Sequence, residues 1–431
     1  MKLLTVDTID AAREKISGFT KSWELKSESV ALGKAQGRII ACDVFAACDI
    51  PAFRRSTVDG YAVIARDTAG ATDTIPVFLK QVGSVVMGRP ADFTIRCGEC
   101  AYVPTGGMFP AGADAAVMIE YCEDSGGGVI ANGVVANGVI AVCDAVASGA
   151  GMVGIGEDFQ NGKLLLKRGT VIRPQEIGAL SAAGICTVNV FAPLALSIIS
   201  TGDELVAPEK TPAPGEVRDV NTNALKALAE KHGYLVASTQ VLADNEAQIE
   251  AAVRTAAQTS DIVIVSGGSS QGEKDFTAQI IGRIASPGVF THGLALKPGK
   301  PTILGWDGNG KTLLAGLPGH PVSAMMVFEL LFGWLAALRN KEAGIVGVLP
   351  PRHLQARISS NVPGAGGRAV CMPVALTPQI SPNGEQCTYS AEPIFGKASM
   401  VSMLTQADGY IIINQNKEGL KKDEPVLVHL F

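Results

Sequence analysis

The chain has 431 residues, of which 47% are hydrophobic and 18% charged, and its formal net charge is -5. So much apolar material excludes a disordered polymer, the length asks for about two to four separate cores, and the acidic balance excludes nucleic acid as the main partner. No run of eighteen uninterrupted apolar residues occurs, and the opening MKLLTVDTIDAAREKI carries acids where a signal peptide needs an apolar stretch. A cytoplasmic protein without a membrane span is therefore expected. Nine cysteines spread from Cys42 to Cys387 do not read as a disulfide framework. Cys97 and Cys100 form a CxxC, but with no second pair beside it core packing is the expected role.

Ile9, Ala12 and Ile16 follow Thr8 at helical spacing and predict a first helix. From Pro51 the pattern becomes short strand-like runs, IPVFLKQVGSVV and FTIRCGECAYVP, ending in two ANGV units that read as a small hairpin. After Gly151 turn residues return, followed by a helix over Pro174 to Ala183. This places 1–50 and 151–192 in one discontinuous domain with a β-rich insertion, 51–150.

From Leu194 strands and helices alternate. LALSIIS, YLVASTQVL and DIVIVSGG read as strands, Asn221 as the cap of a helix to Lys231, and Glu246 to Ala257 as a second helix. A helix from Asp275, strands GVFTHGLAL and TLLAGL, and a long helix from Pro321 to Leu338 complete an α/β domain over 193–345. Such alternation predicts a parallel sheet with ligands at the carboxyl ends of its strands. The runs RHLQARISS, GRAVCMPVAL, DGYIIINQ and EPVLVHLF then predict a small C-terminal β-barrel-like domain over 346–431.

The chemistry gathers at a few turns. STGDE, Ser200 to Glu204, follows a buried strand, and VSGGSSQGEKD, Val265 to Asp275, is a glycine loop entering a helix N-terminus, where backbone amides favour a phosphate. Ser266, Gly267 and Gly268 would supply those amides. Asp275 either caps the helix or holds Mg²⁺, and Asp244 either caps the next helix or joins it. LKPGKP, Leu296 to Pro301, sets Lys297 and Lys300 on a rigid turn suited to an anion, and GLPGHPVS, Gly316 to Ser323, is a second such turn. RRSTVDGYAV, Arg54 to Val63, and PTGG, Pro104 to Gly107, form a separate polar knot around Asp59. Five scattered histidines show no metal-ligand spacing.

In this order, SESVALGKAQGRIIACDVFAACDIPAFRRSTVDGYAV, YVPTGGMFPAGADAAVMIE, GED at Gly156, STGDEL, SGGSSQGEKD, LKPGKP and GLPGHPVS resemble the molybdopterin molybdenumtransferases, the MoeA family related to the E domain of gephyrin. The resemblance implies an elongated homodimer whose third domain has the fold of molybdopterin adenylyltransferases, the active cleft lying between that domain and the β region of the partner subunit. It implies insertion of molybdate, or tungstate, into adenylated molybdopterin with Mg²⁺ and release of AMP, and the adenylyltransferase as a possible partner. Carried over by motif, Asp59, Thr105, Asp158, Glu204, Asp244 and Asp275 fall in the site, the last three around the metal. Lys297, Pro298, Lys300, Pro318, Pro321 and Arg368 match its oxyanion side.

Several positions depart from the family pattern. Arg54 and Arg55 precede STVDGYA, Ser269 and Gln271 stand in the glycine loop, GMVGIG precedes the aspartate of GED, His320 stands for Asn and Lys397 for Ser. The alternatives are an adenylyltransferase acting on molybdopterin and ATP, and a non-catalytic molybdopterin carrier or scaffold.

Overall fold

The computed structural model describes residues 6–126, 129–131, 134–136, 138–267, 276–345, 353–380 and 387–431. Its chain divides into two compact units, one of residues 1–28 with 191–431 and the other of 29–190.

The first unit opens with helix α1 (Ile9–Thr20), whose Thr8 hydroxyl accepts from the Ala11 N–H at 3.1 Å and caps it. Ile9, Ala12 and Ile16 are buried in the same core as Leu196, Leu225 and Phe328, so the apolar stripe of α1 is spent on the α/β sheet. That sheet comprises β1 (Ala195–Thr201), β2 (Leu235–Leu242), β3 (Ile262–Ser266), β4 (Pro287–His292), β6 (Ile303–Asp307) and β7 (Thr312–Leu317), with β5 (Leu296–Lys297) leaving it for another sheet. The spatial order is 2-1-3-7-6-4. The first four strands are parallel, whereas β6 runs antiparallel to β7 and β4 antiparallel to β6. The expected parallel sheet is therefore mixed. The sequence reading passed over β6, whose ILGWD sits between two Pro/Gly turns and resembles their apolar packing.

Helices α2 (Asn221–Lys231), α3 (Glu246–Ala257) and α4 (Phe276–Ile284) make the crossovers. Asn221 is not the cap of α2: Asp219 Oδ1 accepts from the Thr222 N–H at 3.2 Å instead. Asn245, not Asp244, caps α3, its side chain accepting from Gln248. β3 and β7 are buried along their whole length, while β2 alternates exposed and half-buried positions as an edge strand must.

After β7 the chain forms α5 (Pro321–Phe328), a π-helical turn (Glu329–Gly333) and α6 (Trp334–Glu342). The run Pro321–Glu342 is long and apolar enough to cross a membrane by composition. Here it is the core helix: Val322, Ala324, Met326, Val327, Phe328, Leu331 and Phe332 all pack into the α/β core. The Arg13 guanidinium donates twice to the Leu330 carbonyl, at 3.0 and 2.7 Å, and the Tyr234 hydroxyl donates to the Phe332 carbonyl at 2.7 Å. These side chains satisfy carbonyls of the π turn, whose hydrogen-bond pattern departs from that of an α-helix.

The C-terminal strands are β8 (His353–Ile358), β9 (Ala369–Ile380), β10 (Cys387–Pro393), β11 (Gly409–Ile413) and β12 (Pro425–Leu430). They pair as 9-10-8-12-11, and β11 returns to β9, so the sheet closes into a barrel-like ring around Ile358, Val374, Ile411 and Val428.

The second unit carries a six-stranded sheet built from Ala115–Met118, Gly60–Val63, Glu99–Val103, Val77–Ser84, Val139–Val142 and Cys122–Asp124, in that spatial order. The strands Val129–Ala131 and Val134–Ala136 of the ANGV region pair antiparallel. A separate core under helix Pro174–Ala182 includes Ile40, Ile172, Leu180 and Val190. Cys100 is buried and its thiol is pushed up to about 12 by desolvation, while exposed Cys97 contacts the Asp67 carboxylate at 3.3 Å. No group of three metal-ligating side chains exists around the CxxC among the described residues.

Candidate active site

The carboxyl ends of β1, β3 and β7 end in hydroxyls and carbonyls that α2 stitches together. Ser200 Oγ and Thr222 Oγ1 lie 2.7 Å apart in a buried pair. Asn221 Nδ2 donates to Ser266 Oγ and to the Gly319 carbonyl, both at 2.8 Å. Gly267 has φ of +124°, and a Cβ there would stand 2.2 Å from the Thr201 carbonyl oxygen. Only glycine lets the loop leave β3 at that angle and pass so close to β1. Gly268, Ser269, Gln271 and Asp275 lie outside the described residues.

Beside this floor three carboxylates crowd the ends of β1 and β2. The Asp244 N–H donates to Asp203 Oδ1 at 2.9 Å, and the Gly202 N–H donates to the Leu242 carbonyl at 3.1 Å, which holds the two strand ends together. Asp244, Asp203 and Glu204 are all exposed, and partial desolvation of the Asp244 carboxyl, then the charges of Asp203 and Glu204, raise it above its ordinary value. Thr201 Oγ1 lies buried beside them without a hydrogen-bond partner among the described residues. Mg²⁺ needs one or two carboxylates, with water and substrate phosphate completing its octahedron. Glu204 and Asp244 offer such carboxylates without forming a three-ligand metal group among the described residues, and a cation beside them would relieve the repulsion that adds to desolvation in raising Asp244. Asp203 belongs to the same group, and sequence reasoning overlooked it although it lies inside STGDE.

The cationic turn is built by a long-range pairing. β5 lies parallel to the start of β9, with Leu296 opposite Ala369 and Lys297 opposite Val370, and the Ala369 N–H donates to the Ala295 carbonyl at 2.8 Å. Arg368, the residue before that pairing, is thereby carried to the strand that bears Lys297. Lys297 and Lys300 are exposed and form no ion pair among the described residues. The turn between them is pressed onto α5: Gly299 has φ of +122°, and a Cβ there would stand 2.6 Å from Val327 Cγ2. Thr302 Oγ1 donates to the Gly299 carbonyl at 2.8 Å and locks the same turn.

Pro318 is buried and Pro321 is the first residue of α5. His320 precedes it with extended backbone and no side-chain cap bond. The Val322 N–H donates to the Ala398 carbonyl at 3.1 Å, so the segment carrying Lys397 lies against the start of α5. Two departures from the family pattern, His320 and Lys397, therefore belong to one neighbourhood.

In the second unit, Asp59 Oδ1 accepts from the Thr105 N–H at 2.8 Å, which joins the DGYA and PTGG turns. The Gly106 N–H donates to the Ser56 carbonyl at 2.8 Å and the Ser56 N–H to the Gly107 carbonyl at 2.9 Å. Gly60 follows of necessity, since a Cβ there would stand 1.9 Å from the Val117 carbonyl oxygen. Asp59 and Thr105 are exposed. Asp158 is exposed on another turn, its N–H donating to the Ile50 carbonyl at 3.0 Å, and no hydrogen bond links it to Asp59 among the described residues. Arg54 spends its guanidinium on the Ala113 carbonyl at 3.0 Å.

Three family models cover the chain in succession: the MoeA N-terminal region (domains I and II) over residues 7–184, a molybdopterin-binding domain model of molybdenum cofactor biosynthesis proteins over 197–337, and the MoeA C-terminal region (domain IV) over 355–431. The chain is 32% identical over 306 residues to molybdopterin molybdenumtransferase 2 of Mycobacterium tuberculosis, a match spanning 70% of this chain and 72% of that one. It is 29% identical over 426 residues to the molybdopterin molybdenumtransferase of Haemophilus influenzae, covering 98% of each. The crystal structure of a MoeA molybdopterin biosynthesis protein from Pyrococcus horikoshii superposes with a TM-score of 0.76 at 33% identity, over 99% of both chains. With a strand-end floor, a carboxylate group and a cationic turn matching the motifs in order, the chain belongs to the molybdopterin molybdenumtransferase (MoeA) family, the enzymes of molybdenum cofactor biosynthesis.

Proposed function

We propose that the enzyme inserts molybdate, or tungstate, into adenylated molybdopterin and releases AMP. The observation that carries this reading is the β5–β9 pairing, which brings Arg368 to the strand of Lys297 and so gathers positive charge on a chain that is acidic overall. A tetrahedral dianion needs such a cluster, and the rigid prolines Pro298, Pro318 and Pro321 keep the turn amides from reorganising around it.

The phosphoanhydride would lie at the carboxyl end of β3; because the Gly267 N–H already donates to the Leu317 carbonyl at 3.3 Å, the amides proposed to meet its oxygens are those from Gly268 onward, with Ser266 and Gly267 as the base of the loop. Lys297, Lys300 and Arg368 would hold the oxyanion near the dithiolene sulfurs. Glu204, Asp244 and Asp275 would hold Mg²⁺, which when bound neutralises pyrophosphate charge. Cleaving the P–O bond to the AMP leaving group needs positioning and neutralisation rather than a covalent nucleophile, and the site calls for no Ser/His/Asp set. Asp59, oriented by the Thr105 amide, and Asp158 are proposed to orient water or substrate.

The same reading includes a cytoplasmic homodimer, the adenylyltransferase as a partner, and the four-part division 1–50 with 151–192, 51–150, 193–345 and 346–431. AMP release from adenylated molybdopterin with Mg²⁺, measured with molybdate and tungstate in turn, tests it. Release that neither oxyanion promotes would sink the assignment, and adenylated product formed from molybdopterin and ATP would move it to the adenylyltransferases.

A further inference from the structure

Asn221 does more than begin a helix. It is 7% exposed, and its carboxamide nitrogen reaches the last residue of β3, Ser266, and the Gly319 carbonyl, 98 residues away in sequence. Gly319 accepts only, so the orientation of the amide is set by its partners: nitrogen toward Gly319, oxygen away. Both donors of the amide are thus spent on two elements of the site. Ser266 leads into the glycine loop, and Gly319 lies in the turn between Pro318 and Pro321. Ser266 Oγ also lies 3.5 Å from the Pro318 carbonyl. Asn221 Oδ1 is buried without a partner among the described residues. Leaving a buried acceptor unpaired is costly, and a residue chosen only to start α2 would not carry that cost. Asp219 already caps the helix.

We propose that Asn221 is a positioning residue: its carboxamide clamps the mouth of the glycine loop to the GLPGHP turn and so fixes the distance between the phosphate-binding and oxyanion-binding sides of the site. The clamp stands on the geometry alone, whereas its effect on turnover rests on the function proposed above. With the clamp in place, substrate and oxyanion meet at a preset separation. Without it, both can bind but their reacting atoms are held less closely, and misplacement of this kind falls on turnover more than on binding.

The test uses Asn221→Asp in the full-length protein. A carboxylate has the same shape but offers no donor to the Gly319 carbonyl, whereas the protonated acid restores one. The expected result is a fall in kcat for AMP release on the order of tenfold to a hundredfold at pH 8, the size a lost buried hydrogen bond converts to, with KM for molybdate nearly unchanged. Relative to wild type at the same pH, kcat should recover as pH falls toward 5.5. Ser197→Ala serves as the control. It removes a buried hydroxyl bonded at 2.8 Å to both Ser238 and Ser260, farther down β1 from the site, and should lower Tm without changing kcat.

A loss in Asn221→Asp that is flat with pH, or that merely tracks Tm as the control does, overturns the proposal. Amide hydrogen exchange over 316–322 separates the two ideas. Faster exchange in Asn221→Asp supports the clamp even if wild type releases no AMP, an outcome that would overturn only the reaction. Unchanged exchange overturns the clamp.

Discussion

Lys297 stands opposite Val370 in a parallel pairing of only two residues, and this pairing is the route by which the C-terminal barrel-like domain contributes Arg368 to the strand of the α/β domain that carries Lys297. Two cations on neighbouring backbones repel each other unless an anion lies between them. Lys297 is exposed, Arg368 is half-buried, and neither forms an ion pair among the described residues, which is what the proposed anion-binding turn requires.

Lys297→Ala and Arg368→Ala should each raise the molybdate concentration for half-maximal AMP release about tenfold, the magnitude of one charge-assisted contact. If they share one anion, the double variant should lose less than the product of the two single losses. Titrating molybdate at two ionic strengths checks this. Unchanged half-saturation in both single variants would make the pairing structural only.

Gly267 and Gly319 should differ sharply in their tolerance of a Cβ. Gly267→Ala puts a Cβ at 2.2 Å from the Thr201 carbonyl oxygen with φ of +124°, so a stability loss of roughly 1–3 kcal/mol from backbone strain, with further loss from the clash, is expected. Gly319→Ala meets nothing nearer than Gly267 Cα at 3.6 Å and should stay within about 0.5 kcal/mol of wild type. Denaturant unfolding of the two variants measures the contrast, which disappears if the loop at Gly267 can move aside.

The local part of this architecture was legible in the sequence. The helix expected over Glu246 to Ala257 has the bounds of α3, and Ile249, Val253 and Ala256 make its buried face. Glycine and proline marked both site turns because backbone shape is a local property. What sequence could not supply was reach. Asn221 looked like a cap because it precedes a helical run, but its side chain is directed by Gly319, a partner that no local pattern names. Asp244 looked like a cap for the same reason, one residue from the true cap Asn245, and its crowding by Asp203 arises only once β1 and β2 are adjacent. Likewise β6 was lost between two turns because a five-residue apolar run has no period of its own to distinguish it.

Asp244 carries a pH signature. Its folded pKa is raised, by partial desolvation and then by Asp203 and Glu204, above the unfolded value of about 3.9. Such a group favours folding below about pH 4, and that contribution is lost as pH rises through the folded value. At neutral pH the wild type therefore bears a penalty that Asp244→Asn removes. The variant should melt higher than wild type at pH 7 and lose its advantage near pH 3.5. Millimolar Mg²⁺ should raise the wild-type Tm more than the variant's, since a bound cation relieves the same repulsion. Equal Mg²⁺ shifts in the two proteins would remove Asp244 from the metal group.

Glu329 gives the opposite sign. It begins the π turn, its side chain is 8% exposed, and it accepts from Lys231 Nζ and pairs with His232 Nε2, both at 2.7 Å. Burial pushes its carboxyl upward, but the bonds and charges of His232 and Lys231 outweigh burial and leave it below the usual glutamate range. A carboxylate with a depressed folded pKa contributes stability above its unfolded pKa of about 4.3, and that contribution is lost as pH falls through the lower folded value. Glu329→Gln keeps the shape and removes the charge, which leaves the Lys231 ammonium and the His232 ring facing a neutral amide. A loss of about 1–2 kcal/mol at pH 7 is expected, less than for a fully buried pair because the Lys231 side chain is 43% exposed. The difference between the proteins should shrink as pH is lowered through 4 toward 3, because the wild-type carboxylate is then neutralised as well. Because Gly333 sits against the His232 ring, where a Cβ would stand 2.8 Å from Cε1, Gly333→Ala should displace His232 and reproduce part of the loss. Urea unfolding across that pH range decides the matter, and a loss in Glu329→Gln that does not change with pH would mean that packing of the π turn, rather than the charge on Glu329, holds this end of the core helix.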